Sequence, residues 1–168
     1  VAAAERGFCI HLDGKPMRTP AKQILVVPTE PLAEAIAAEW AGVPEATEIN
    51  ATLLPLTRLA ATGLDRVVSR REEVVADTAK YAGSDLLCYR ATAPDSLVKL
   101  QHDTWQPLLD WATRRYDAAL AATTEIVPSR QSPAALQAFA AAVAAHDDFR
   151  LTALHALTGA CGSLVIAL

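Results

Sequence analysis

The chain has 168 residues, 52% of them apolar and 20% charged, with a net charge of −4; that length buries one sizeable core or two small ones. An acidic balance with no basic stripe argues against a duplex nucleic-acid binder, and no run of about 18 apolar residues spans a membrane. Cys9, Cys88 and Cys161 are odd in number and far apart, a pattern that argues against a disulfide framework and against zinc and leaves free thiols in a reducing compartment.

The chain opens as β structure. In "FCIHLDGKPMRTP", Phe8, Ile10 and Leu12 alternate with Cys9 and His11 before Asp13-Gly14. Asp-Gly between short runs predicts a hairpin. "QILVVPT", residues 23–29, predicts a further short strand, with Pro16, Pro20 and Pro28 at strand ends or edges. A helix follows, with Thr29 as N-cap and Pro31 in its first turn. Leu32, Ile36 and Trp40 share its face, and Gly42 and Pro44 stop it. Residues 43–54 read as a linker or an extended strand.

The remainder reads as helix. Leu56, Leu59, Ala60, Gly63, Leu64, Val67 and Val68 form one apolar stripe. A second helix over 70–82 turns Val74, Val75, Thr78 and Ala82 inward. Pro94-Asp95-Ser96 starts a third with Leu97, Leu100, Leu108, Trp111 and Ala112, which Pro107 must kink or split. After a break at "TTEIVPSRQSP", Ser132 and Pro133 open a helix with Leu136, Phe139 and Val143. Asp147-Asp148 marks the start of the next, which stops near Gly159, and a last helix runs to Leu168. Arg70-Arg71 and Arg114-Arg115 read as solvated helix faces. Trp40, Trp105 and Trp111, at helical spacing, read as core, Trp105 being the one that a kink could turn outward. The fold class is therefore α+β, with a small N-terminal α+β domain over 1–49 and a helical domain over 50–168. The uncapped apolar end at Leu168 suggests that the native chain continues.

"SDLLCYRA", residues 84–91, carries the nearest thing to chemistry. A nucleophilic Cys88 needs a base and an oxyanion site. His11, His102, His146 and His155 sit in no catalytic signature, and Leu86, Leu87 and Tyr89 make an apolar setting that keeps a thiol inert. Cys88 reads as a packing thiol. Asp85 reads as a cap for a new helical turn, and Arg90 as an ion-pair partner of Asp85 or of a helix carboxylate or, with Tyr89, as an interface anchor. His102 and Asp103 are adjacent on a helix and point different ways. No metal-ligand spacing and no nucleotide-binding loop is present, and "LDGKPMRTP" is explained by turn chemistry.

Five ordered segments go further: "GFCIHLDGKPMRTP", "LAEAIAAEW", "LPLTRLAATGLD", "YAGSDLLCYRA" and "QHDTWQPLLDWA". Together they resemble the assembly chaperone family that binds the α subunit of F1-ATPase, well over 7–112 and more loosely to 168. The resemblance implies a non-enzymatic protein without cofactor or metal, built as a small α+β domain followed by an orthogonal helical domain. It would shield the apolar β-contacting face of the free α subunit and release it on assembly of the α/β head. It also implies a strand before Val1 and further helices beyond Leu168. Tyr89, Arg90, Gln101 and Trp105 are the residues expected to touch the client. Gln106 stands where the family has an acidic residue, and Leu54 where it has methionine. Eleven arginines against four lysines, with abundant alanine, favour a bacterial cytoplasm over a mitochondrial matrix. The competing readings are a small cysteine or acid–base enzyme using Cys88, Asp85 and a histidine, and a scaffold module with no client.

Overall fold

The hairpin at Asp13-Gly14 forms. Strands β3 (His11–Leu12) and β4 (Lys15–Pro16) pair antiparallel with Leu12 opposite Lys15. Asp13 and Gly14 both take positive φ, 50° and 75°, the backbone a two-residue hairpin turn requires. A second sheet joins β1 (Ala2–Ala4), β2 (Gly7–Cys9) and β5 (Val26–Val27), antiparallel and with β2 central. The alternation expected through 8–12 does not hold, since Cys9 and Ile10 are both buried. The reason is topological: the strand breaks at Ile10 between two sheets, so β2 and β3 do not share one inward phase.

The computed structural model describes residues 1–44, 51–125, 127 and 129–168, which fall into two units, Val1–Arg70 and Arg71–Leu168. In the first unit, helix α1 (Glu30–Ala41) lies on β2 and β5. Ile10, Leu25, Val27, Ala33 and Ile36 are almost wholly buried there. Thr29 is the N-cap of α1 by position, but its side chain makes no capping bond; Pro31 sits in the first turn. Residues 51–53 form a 3-10 turn rather than the extended strand. Helix α2 (Pro55–Thr62) then runs into a wide turn at Gly63–Val67, closed by Val68 N–H donating to the Gly63 carbonyl. That five-residue closure resets the helical phase. Val67 is buried while Val68, expected on the same stripe, is 55% exposed.

Two carboxylates tie this unit together. Helix α2 has no side-chain cap of its own. Glu39 of α1 serves instead, accepting from the amides of Leu56 (2.6 Å) and Thr57 (2.9 Å) and from the Thr57 hydroxyl (2.9 Å). Asp65 accepts from the Thr19 hydroxyl (2.7 Å) and the Ala21 amide (3.0 Å). These bonds fasten 55–67 to the strands and α1, so the first unit extends to Arg70. The boundary expected at 49/50 lies at residues outside those described.

The second unit is helical, and the fold as a whole is α+β. Helix α3 (Arg71–Ala79) packs on α5 (Pro133–Ala144) and α6 (Asp148–Cys161), and α6 on the short α7 (Leu164–Ala167). Leu87, Phe139, Val143, Leu151 and Leu164 have no exposure. Ser132 caps α5 through the Ala135 amide and Asp147 caps α6 through the Arg150 amide, as their sequence positions predict. Helix α6 ends at Gly162, whose φ is 64°, and not at Gly159. Arg71 is not on a solvated face: its guanidinium pairs with Asp148 and donates to the Ala144 and His146 carbonyls. It thus satisfies the open end of α5, where a cation is favoured.

Helix α4 (Asp95–Tyr116) contains Pro107 but is not split by it. The proline is exposed, so the carbonyl it leaves without an intrahelical donor lies near water. Among the described residues, no helix is long and apolar enough to cross a membrane.

Candidate binding surface

The octapeptide 84–91 is organised by Asp85. This residue has no solvent exposure. One carboxylate oxygen caps the 3-10 turn Leu86–Cys88 by accepting from the Leu87 amide (3.0 Å), and the other accepts from the Val165 amide (3.0 Å). The cap was legible in the sequence; the second partner, eighty residues away, was not. Arg90 does not pair with Asp85.

Cys88 is 1% exposed, and no imidazole hydrogen-bonds to it among the described residues. His102 meets Asp103, despite their expected divergence along the helix. His146 Nδ1 bonds to the Ala142 carbonyl and His155 Nδ1 to the Thr78 hydroxyl. Burial, reinforced by the Asp85 carboxylate and opposed by Arg90, pushes the Cys88 thiol up from 9.0 to about 11. A thiol so placed is protonated at neutral pH and a poor nucleophile.

Arg90 ties together three of the four residues expected to meet a client: itself, Gln101 and Trp105. Its Nε donates to the Leu87 carbonyl (2.8 Å), one terminal nitrogen to the Gln101 carbonyl (3.0 Å) and the other, at 3.4 Å, to Gln106 Oε1. Its guanidinium lies 5.6 Å from the Trp105 ring centroid, within the range of a cation–π contact. Gln101 Oε1 in turn accepts from the Ala91 amide (2.7 Å). Tyr89 adjoins through backbone, in a bridge to Thr123, and its phenol bonds to none of the other three among the described residues. All four side chains are half-buried. Arg90 and Gln101 therefore spend much of their hydrogen-bonding capacity inside the protein. They hold residues 87–91 against α4 and fix the Trp105 ring.

The sequence missed the larger feature beside this cluster. Leu97, Leu100, Leu108 and Trp111, which the sequence places on this helix with Trp111 read as core, are 39%, 58%, 37% and 37% exposed. Their spacing, with Thr104 between, follows a single line along the helix about 21 Å long at 1.5 Å per residue. Thr104 turns its hydroxyl back to the Leu100 carbonyl (2.7 Å). Lys99, His102 and Asp103 occupy the far side as a charged group. Leu109 and Ala112 anchor the helix by a neighbouring line that is buried. The signal was present as an apolar arc wider than one packing line, but which part of that arc is covered depends on neighbours.

A family model matches this molecule over residues 1–113, that of the ATP12 chaperone protein. The chain belongs to the ATP12 chaperone family. Its members are chaperones of ATP synthase assembly, as the resemblance implied, and an F1 subunit is the implied partner. Among solved structures, Atp12 from Paracoccus denitrificans superposes with a TM-score of 0.90 at 43% identity. The match covers 99% of this chain and 70% of that one. A charge-reversal mutant of the same Atp12 gives the same figures. The Atu1473 protein of Agrobacterium tumefaciens matches with a TM-score of 0.89 at 38% identity, over 98% of this chain and 61% of its own. The fold of this chain is thus the Atp12 fold.

Proposed function

We propose that this ATP12-family chaperone holds the free α subunit of F1-ATPase by covering the apolar face that the β subunit later occupies. The observation that carries the reading is the ridge of Leu97, Leu100, Leu108 and Trp111 on α4, apolar side chains left in water along some four helical turns. Such a stripe costs solubility and fits a protein that meets an apolar partner surface. Tyr89, Arg90, Gln101 and Trp105 are the proposed contacts at its edge, Trp105 as the aromatic anchor and Arg90 as the group that orients it. Release requires only that β bind the same face more tightly by a few kcal/mol. The compartment proposed is the bacterial cytoplasm, in keeping with solved relatives from two bacteria. The enzymatic alternative has little support in a buried Cys88 whose thiol sits near 11.

The test is retention of newly synthesised α subunit on the immobilised chain, with and without β subunit. The wild type is expected to keep α soluble and to yield it to β. Leu97→Ser combined with Leu100→Ser is expected to lower retention tenfold or more, and Arg90→Ala and Trp105→Ala to weaken it. Equal retention by the ridge variant, or capture of only the assembled head, would count against this reading.

A further inference from the structure

The first unit contains a cleft of about 530 Å³, remote in sequence from α4, that the function above leaves unused. Its apolar lining is Pro20, Trp40, Leu54 and Ala61, the last two buried, the indole half-exposed and the proline exposed. The indole is fixed in place. Its Nε1–H donates to the Thr57 hydroxyl (3.1 Å), which itself donates to Glu39 (2.9 Å). At the rim stand Arg58 and Arg66, both exposed, and neither guanidinium has a hydrogen-bond or ion-pair partner among the described residues. Among the described residues the carboxylate at the rim is Asp65, which directs its oxygens to Thr19 and Ala21.

A preorganised apolar pocket beneath two unengaged guanidiniums selects an occupant by charge. Each guanidinium offers a planar fork that matches a carboxylate. The aromatic wall and buried floor accept an aliphatic or aromatic side chain. We infer that this cleft is a second client site, which takes an acidic segment of the client chain, seating an apolar side chain against Trp40 while its carboxylates meet Arg58 and Arg66. The inference rests on the chaperone reading and divides the labour of binding. The α4 ridge covers an apolar face without sequence selectivity, and the cleft adds selectivity for a charged segment.

The experiment uses the whole chain and 12-residue peptides tiled along the F1 α subunit, with binding read from tryptophan fluorescence. Trp40→Phe identifies the signal that belongs to the cleft. At least one peptide combining carboxylates with an apolar side chain is expected to bind. Its affinity should fall about tenfold for each of Arg58→Gln and Arg66→Gln. Lysine at both positions should restore part of the loss, and half-molar salt should weaken binding. Peptide affinity unchanged in the double glutamine variant, or equal affinity for a version with its acids replaced by amides, overturns the inference. So does a preference for basic peptides, or a concentration-dependent dimer of this chain that the glutamine variant abolishes. If no peptide binds while whole α subunit is still retained, the cleft assignment fails and the chaperone reading stands. If α itself is not retained, both fall.

Discussion

Asp85 reaches zero exposure because each of its oxygens has a backbone amide to accept from, one in the adjacent turn and one at the start of α7. Removing the carboxylate strands two buried N–H groups, each costing about 1–3 kcal/mol. Asp85→Ala should therefore lower the unfolding free energy by about 2–6 kcal/mol. Urea titration should show a shifted midpoint and an unchanged slope; a loss below about 0.5 kcal/mol, the scale of an ordinary surface change, would contradict the assignment. Cys88, in the same turn, should resist alkylation in the native chain at neutral pH, with the less buried Cys161 labelled first and Cys88 reacting only on unfolding. Its pH dependence has a definite sign. The folded thiol keeps its proton to about 11, whereas an unperturbed thiol loses it near 9.0. The stabilisation from this group is thus complete below pH 9 and disappears as the pH rises from 9 towards 11. Gln106 bridges two neighbours. Its Oε1 accepts a long bond from Arg90 while its Nε2 donates to Asp110 (2.8 Å). A glutamate there would gain the first contact and lose the second.

Helix ends in this chain are set by two kinds of signal. Ser132 and Asp147 cap their own helices through amides three residues on, and such caps are visible in the sequence because both partners are local. The end of α6 is the instructive exception. Both Gly159 and Gly162 are plausible stops, yet only Gly162 takes the left-handed conformation, and Gly159 lies inside the helix. Alanine at 162 should cost about 1 kcal/mol, because a Cβ is disfavoured at that φ. Alanine at 159 should gain up to about 1 kcal/mol from helix propensity, since its Cβ would meet the Tyr81 hydroxyl at an ordinary 3.8 Å. Thermal unfolding of the pair checks this; the opposite order would mean that the helix stops where the sequence suggested. Helix α2 illustrates the second kind. Its cap is Glu39, seventeen residues upstream, and no window centred on α2 contains it.

At the scale of the molecule, stability and binding are drawn from different sides of one helix. Leu109 and Ala112 hold α4 to its unit, while Leu97 and Leu100 face water. Serine at 97 and 100 removes little buried area, so the unfolding free energy should stay within about 0.5 kcal/mol of wild type even as client retention collapses. Parallel loss of stability and retention would instead mark the ridge as packing surface. The two units divide the chemistry similarly: the first presents two arginines without a partner among the described residues around an indole, the second an apolar helix beside an arginine already engaged by its own protein.

The residue string by itself determined what depends on neighbours within a few positions. It contained the hairpin at Asp13-Gly14, the start of α1, the Ser132 and Asp147 caps, the Asp85 turn and an α+β composition. The ordered segments from "GFCIHLDGKPMRTP" to "QHDTWQPLLDWA" were enough to point to the family. Tertiary structure alone decided which partner each charged group takes. Asp65 reaches Thr19, Asp85 reaches Val165, and Arg71 closes the end of α5. It also decided which line of α4 is left uncovered. The physical reason is the same throughout: hydrogen bonds and burial are settled by atoms a few ångströms away in space, and the chain brings those atoms together from positions as many as eighty residues apart.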